Sequence, residues 1–199
     1  MSQFPRLQCI ACDKNFPLQE LRYRAPCGEL IAVDHGKRSP AAGLKEKFDS
    51  RLASRQDIDR SGVWRFREGI LNVRTADIVT HPEGGTNLYS RQAFHDFAQV
   101  ARIGLKHEGE NPTGSFKDRG MTVAMTQAKA LGMTKVACAS TGNTSAALAA
   151  YAAQAGMQAY VFLPAGKVAS GKLAQAIGYG AKCLAIRGDF DDAMTLVQD

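Results

Sequence analysis

From about residue 88 onward, the apolar positions switch repeatedly between a helical period and a strand period. Residues 93–100 follow helical spacing, and residues 103–107 read as a short strand. Residues 117–131 predict a helix with apolar positions at Met121, Ala124, Met125 and Ala128, closed by Gly132. A strand follows at 135–139, then an alanine-rich helix at 143–155 ended by Gly156, and a strand at 158–163 ended by Pro164. A helix at 170–177, a strand at 182–186 and a helix at 190–197 complete the series. Strands alternating with helices of this length predict an α/β fold with a parallel, doubly wound sheet. Val136-Ala137-Cys138-Ala139 and Ala159-Tyr160-Val161-Phe162-Leu163 are continuous apolar runs, the pattern expected of strands buried on both faces.

Upstream the periodicity breaks down. Residues 36–87 are charged and irregular, with a helix expected near 43–54, and read as a connector whose charged positions face solvent. Residues 1–35 are turn-rich and carry Cys9-Ile10-Ala11-Cys12, with Cys27-Gly28 after 14 intervening residues. A structural zinc ribbon needs four ligands, commonly two Cys-x-x-Cys pairs. Here the second pair is broken, because Arg24 and Ala25 stand where its first thiol would be, and His35 has an unusual spacing for a fourth ligand. The module therefore reads as a degenerate zinc-ribbon-like element, with no metal expected. Three parts result: 1–35, 36–87 and 88–199.

Composition narrows the function classes. A chain of 199 residues with 45% hydrophobic content is one large domain or two small ones with a real core. The charge of +6, from 25 basic and 19 acidic residues, is a modest excess. Nucleic-acid binding would need a basic cluster with interleaved aromatics. The nearest candidate, 60–74, is interrupted by Trp64, Phe66, Ile70 and Leu71 and reads as packed structure. No run of 18 apolar residues predicts a membrane span, and the N-terminus has no secretory pattern. A cytoplasmic location and five reduced cysteines are the expectation.

Two segments carry candidate chemistry. Gly114-Ser115-Phe116-Lys117-Asp118-Arg119-Gly120 places one lysine where a polar loop turns into a helix. An amine works as a nucleophile or base only when deprotonated, and the positive end of a helix disfavours an ammonium there. Lys117 also fits an ordinary solvated lysine at a helix start. It does not belong to a P-loop, because Phe116 separates it from glycine. Twenty residues on, Ser140-Thr141-Gly142-Asn143-Thr144 sits at the carboxyl end of a predicted strand, the edge where open α/β sheets bind ligands. Free N–H groups at the next helix start suit an anion. A bare capping turn needs one side-chain oxygen, and four polar residues exceed that need. Phe116 is expected near any ligand. Lys172 is a weaker candidate for attracting phosphate, His81, His95 and His107 have no ligand spacing, and Cys138 reads as a core thiol.

On these residues the sequence resembles the fold-type II pyridoxal phosphate (PLP) enzymes, and the threonine synthase family most closely. Trp64-Arg65-Phe66-Arg67-Glu68, Glu83-Gly84-Gly85-Thr86-Asn87-Leu88-Tyr89, the lysine motif, Gly171-Lys172-Leu173-Ala174-Gln175 and Gly188-Asp189-Phe190-Asp191-Asp192-Ala193 occur in the family's order and spacing. Asn87 departs from the family, where proline is usual, which leaves that turn less rigid. The resemblance implies a tryptophan synthase β-like fold and PLP held by Lys117. It places Phe116 and Asn143 at the cofactor, Asn143 against the ring hydroxyl, and Ser140, Thr141 and Thr144 on the substrate. The implied reaction is a carbon–oxygen lyase step converting O-phospho-L-homoserine and water to L-threonine and phosphate, in a homodimer. Cysteate synthase and the threonine and serine dehydratases share the lysine and asparagine turns. The cysteine remnant and the Trp64 segment favour threonine synthase over the dehydratases. The family's phosphate loop and its partner to the pyridine nitrogen are not found up to Asp199. The resemblance is thus to an N-terminal portion, expected to be inactive alone, with a truncated non-catalytic chain as the remaining reading.

Overall fold

The computed structural model describes residues 5–36, 42–166 and 170–198. The chain divides into two compact units, Met1–Ser50 and Arg51–Asp199.

In the first unit, β1 (Arg6–Cys9), β2 (Asn15–Phe16) and β3 (Ile31–Asp34) form an antiparallel sheet in the order β2-β1-β3. Cys9 pairs with Ile31 and Arg6 with Asp34, whose side chains also form an ion pair at 3.0 Å. A second turn, closed by a bridge between Arg24 and Leu30, passes through Gly28 at φ +87. Helix α1 (Leu44–Ser50) ends the unit.

The second unit begins with short helical turns at Arg51–Ala53, Trp64–Gly69 and Thr75–Asp77, and with α2 (Asp57–Arg60). Charged positions of this stretch such as Arg55, Asp57 and Arg60 face solvent as the sequence implies, but Arg51 and Asp77 do not. Arg51 is buried between Glu68 and Asp59, and Asp77 is buried against Arg74. The cause is pairing: a charge tolerates burial when an opposite charge and hydrogen bonds replace its water. Two residues from each of β4 (Leu88–Tyr89) and β5 (Leu105–Lys106) pair antiparallel around α3 (Gln92–Ala98).

The remaining elements fall close to the positions predicted from periodicity. They are α4 (Lys117–Ala130), β6 (Lys135–Ala139), α5 (Asn143–Ala155), β7 (Gln158–Pro164), α6 (Ser170–Gly178), β8 (Lys182–Ile186) and α7 (Phe190–Gln198). Strands β6, β7 and β8 are all parallel in that order. Helix α5 packs on β6, β7, α4 and α6, and α7 packs on the same two strands as α5. One face of β6 and β7 is taken by α5, so α7 covers the other. Eight consecutive residues of α5, from Ser145 to Ala152, are buried. Alanine serves here because it costs no side-chain entropy and lets backbones approach closely. Of the eight, Leu148 to Ala152 form the core with Val79, Met125, Val161 and Leu163.

The apolar strands are not buried on both faces as their composition suggested. In β7 the buried positions alternate, Ala159, Val161 and Leu163 facing the core while Tyr160 and Phe162 are only part-covered, and Ala137 of β6 is exposed. Among the described residues β6 pairs with β7 alone, so it has a free edge, and the face opposite α5 carries a single helix.

Candidate functional site

The loop before α4 is held from several sides. Gly114 turns at φ +82 and its N–H donates to the Asn111 carbonyl at 2.8 Å. This presents Thr113 to Asp118: the Thr113 N–H donates to the carboxylate at 2.8 Å and its hydroxyl donates to the other oxygen. Asp118 is fully buried, and burial pushes its carboxyl above the ordinary range. Gln175 of α6 donates to the Thr113 carbonyl at 3.1 Å. Asn111 accepts from the Gly84 N–H at 2.9 Å and donates to Glu108, which grips Arg119 through two contacts at 3.0 and 2.9 Å.

Lys117 therefore leaves the first turn of α4 from a fixed backbone, with its N–H on the Ser115 hydroxyl at 3.2 Å. Its Nζ lies 4.7 Å from the centre of the Phe116 ring. Among the described residues it has no carboxylate or hydrogen-bond acceptor, although it is half-buried, while Phe116 is exposed. The ring face attracts the lysine's head group, and no carboxylate among the described residues competes for it.

The turn after β6 supplies the complement. The Ser140 hydroxyl accepts from the Gly142 N–H at 3.2 Å, and the Ser145 hydroxyl donates to the Gly142 carbonyl at 2.7 Å. The side chains of Thr141, Asn143 and Thr144 make no hydrogen bond among the described residues. Helix α5 starts without a side-chain cap, so its first N–H groups stay open. Short connections join α4 to β6 and β6 to α5. Helix α5 packs on β6 and on α4, and its N-terminus follows directly from the carboxyl end of β6. No hydrogen bond joins Lys117 to the Ser140–Thr144 turn; the two segments are linked through the packing of α4 on α5.

A cleft of about 350 Å³ opens beside that turn, lined by Thr141, Pro164, Asp189, Phe190 and Asp191. Thr141 alone of the expected site residues lines it. Sequence reasoning had listed the segment around Phe190 only as a matching element. The signal available was its position directly after the third parallel strand, on the ligand-binding edge. The Asp189 carboxylate is already engaged there, accepting from the Asp191 and Asp192 N–H groups at 2.9 and 3.1 Å. Other candidates have structural partners. Lys172 donates to Gln175 at 3.2 Å, His81 contacts the Ala150 carbonyl at 3.3 Å, His95 contacts Ser90 at 3.0 Å, and burial pushes the Cys138 thiol up to about 12.

The fully buried Glu83 had no assigned role in the sequence reading. It accepts from Thr80, from the His81 N–H at 3.1 Å, from Tyr151 at 3.0 Å and from Ser61. Gly62 lies so close behind the following turn that an added Cβ would meet the Gly85 nitrogen at 2.3 Å. Glu83 therefore anchors the Gly84–Gly85 turn that in turn holds Asn111 and the lysine loop.

The chemistry of these groups fits PLP. An available amine matches its carbonyl, and unengaged hydroxyl, amide and backbone N–H donors match its acceptor oxygens. Comparisons with known proteins agree. The threonine synthase of Methanocaldococcus jannaschii is 44% identical over 191 residues, which is 96% of this chain and 45% of that protein. The threonine synthase of Methanosarcina acetivorans is 47% identical over 193 residues, again 96% and 45%. The chain thus spans less than half the length of these curated relatives. The processed form of threonine deaminase isoform 2 from Solanum lycopersicum superposes with a TM-score of 0.53 at 19% identity, covering 83% of this chain and 39% of that one. Maize serine racemase does so with a TM-score of 0.52 at 22%, covering 62% and 37%, and both likenesses speak to the fold alone. No helix among the described residues is long and apolar enough to cross a membrane. A family model described as pyridoxal-phosphate dependent enzyme matches residues 79–199, more than half of the sequence, and the chain belongs to that family.

Proposed function

We propose that this chain carries the lysine half of a threonine synthase site, acting on O-phospho-L-homoserine and water to yield L-threonine and phosphate. The observation that carries the reading is the Lys117 amine, half-buried, without an anionic partner among the described residues, at the start of a helix that packs on α5, whose own start is uncapped. The similarity to threonine synthases over 96% of the chain supports this substrate over those of the dehydratases and of cysteate synthase.

Bound PLP supplies an electron sink that makes the carbons next to the substrate's amine acidic. The rest is the work of the chain's own residues. Lys117 would hold the cofactor through Nζ and would move protons at the substrate's α and β carbons. Asn143 would donate its amide to the ring hydroxyl. Ser140, Thr141 and Thr144, with the open N–H groups of α5, bind the substrate's anionic groups. Phe116 would hold its ring beside the Lys117 head group and next to the cofactor. Phosphate would leave the γ carbon, which would take up the proton removed from the β carbon to become a methyl, and water would add its hydroxyl at the β carbon and its proton at the α carbon in place of the one removed there. We assign the contacts to the cofactor's phosphate and pyridine nitrogen to the length of the relatives that this chain does not span. The working unit is read as a cytoplasmic homodimer, and the N-terminal unit as a zinc-ribbon-like module with one ligand replaced.

The test is borohydride reduction of the chain incubated with PLP, followed by peptide mapping. Label is expected at Lys117, and label at Lys106, Lys129 or Lys135 instead would remove the assignment. Phosphate release from O-phospho-L-homoserine reads the substrate. A 2-oxo acid formed from threonine or serine, with no phosphate release, would favour a dehydratase.

A further inference from the structure

The incomplete Cys-x-x-Cys pattern argues against a metal, yet the fold gathers its three thiols. Sγ of Cys27 lies 3.5 Å from Sγ of Cys9 and 3.5 Å from Sγ of Cys12, and all three sulfurs fall within 4.8 Å of one another. Thiolates on a tetrahedral zinc ion, with Zn–S bonds of about 2.3 Å, stand ~3.8 Å apart. A disulfide would need about 2.05 Å, so the spacing matches shared coordination and not a covalent bond. The three cysteines come from two separate turns, and the sheet brings them together by placing Cys9 at the end of β1, opposite Ile31.

The local backbone is already shaped for a thiolate. The Ala11 N–H points at Sγ of Cys9 at 3.4 Å, and the Cys9 N–H donates to the Lys14 carbonyl at 2.9 Å, which closes the turn. N–H groups aimed at a ligand sulfur are the outer-shell support that metal-bound thiolates use. The second turn is closed in a similar way, with Ala25 donating to the Glu29 carbonyl at 2.9 Å and Gly28 to the Ala25 carbonyl at 2.8 Å. Arg24 stands three residues before Cys27, as Cys9 stands three before Cys12. Its guanidinium donates to the Gly28 carbonyl at 2.8 Å, so it braces the turn where a fourth thiol would ligate. Cys9 is buried, whereas Cys12 and Cys27 are exposed, which leaves an approach for the ion and for a further ligand.

We propose that Cys9, Cys12 and Cys27 form a three-thiolate site for a soft divalent ion, zinc, whose fourth position is filled by an exchangeable ligand such as water. Replacing the fourth thiol by Arg24 keeps the turn's geometry and opens one coordination position. Binding releases protons from the thiols and ties the two turns of the first unit together. The proposal stands apart from the PLP site and does not depend on it.

The full chain, reduced and freed of metal, is titrated with Co²⁺ as a spectroscopic probe and then with Zn²⁺. Thiolate-to-cobalt absorption that saturates at one ion per chain and is displaced by Zn²⁺ is expected. Cys12→Ser and Cys27→Ser should each weaken binding at least about tenfold, while Cys138→Ser and Cys183→Ser leave it unchanged. Arg24→Cys should tighten binding and deepen the thiolate band, because it completes the tetrahedral set. Absence of binding by the reduced parent chain would overturn the proposal, and more firmly so if Arg24→Cys alone bound metal. Affinity indifferent to Cys12→Ser and Cys27→Ser, or a Cys9–Cys27 disulfide persisting under mild reductant, would overturn it too.

Discussion

Tyr151 donates its phenol to the Glu83 carboxylate at 3.0 Å, and both side chains are wholly excluded from solvent. Burial and the neighbouring carboxylates push the Tyr151 phenol well above its ordinary range, so it stays a donor at any working pH. Tyr151→Phe leaves Glu83 with Ser61, Thr80 and the His81 N–H and should cost about 1–2 kcal/mol. Glu83→Ala strands all of these donors and opens a cavity, and should cost roughly 3 kcal/mol or more. Urea unfolding reads the difference, and an equal cost for the two variants would contradict the anchoring role of Glu83.

Trp64, the only tryptophan, donates its indole N–H to the Thr122 hydroxyl at 2.7 Å, and that hydroxyl donates to the Val79 carbonyl at 2.6 Å. Thr122→Val keeps the volume but leaves the indole N–H unpaired in the core, at a cost of about 1–3 kcal/mol. Thr122→Ser should recover most of this. The single indole lets fluorescence follow both the local change and the unfolding midpoint.

The Asn87 N–H donates to Glu110 at 2.7 Å while its side-chain amide donates to the same carboxylate at 3.1 Å, at the position where the family resemblance implies a proline. The looseness expected from the missing ring is thus offset by two hydrogen bonds. Asn87→Pro removes both and should destabilise the chain by roughly 1 kcal/mol rather than stiffen it. A raised melting temperature would contradict this.

Glu110 also accepts from Tyr89 at 2.6 Å, and these donors, Tyr89 first, hold its carboxyl down at about 2 against an ordinary 4.5. A carboxyl with a depressed folded value stabilises the fold fully above 4.5, and that contribution is lost as pH falls toward 2. Glu110→Gln should therefore flatten the acid side of the stability profile between those values and leave the neutral side sloped as before. An unchanged acid slope in pH-dependent urea unfolding would contradict the clamp.

Asn143 makes no hydrogen bond through its side chain among the described residues, so Asn143→Ala should leave stability within about 0.5 kcal/mol. Its PLP affinity should fall by about tenfold to a hundredfold, the worth of one hydrogen bond to a charged oxygen. Equilibrium binding followed by cofactor absorbance measures this, and a loss of fold with no loss of affinity would reverse the assignment.

Local chemistry was enough to read the elements from residue 117 onward. Gly132 and Gly156 end their helices at φ +74 and +72, where the sequence alone placed the stops. Lys117 and Asn143 open their helices in the structure as the period predicted. The contribution of residues 51–87 was not legible in the same way. Its anchors, Trp64, Glu83 and Arg51, sit in a stretch without periodicity, and their partners Thr122, Tyr151 and Glu68 lie up to 68 residues away. No window of sequence contains both halves of such a pair.

The order of elements, the parallel sheet and the lysine at a helix start follow from the sequence by itself, because each depends on neighbours within a few turns of the chain. Only the tertiary structure decided which faces of β6 and β7 are buried, since burial depends on what packs from elsewhere. It alone placed Asp118 and Glu83 in the interior with their donors, and set Phe190 beside Thr141 at the cleft. It alone gathered Cys9, Cys12 and Cys27, because sulfur-to-sulfur distance is fixed by strand pairing across the first unit and not by the spacing of the cysteines along the chain.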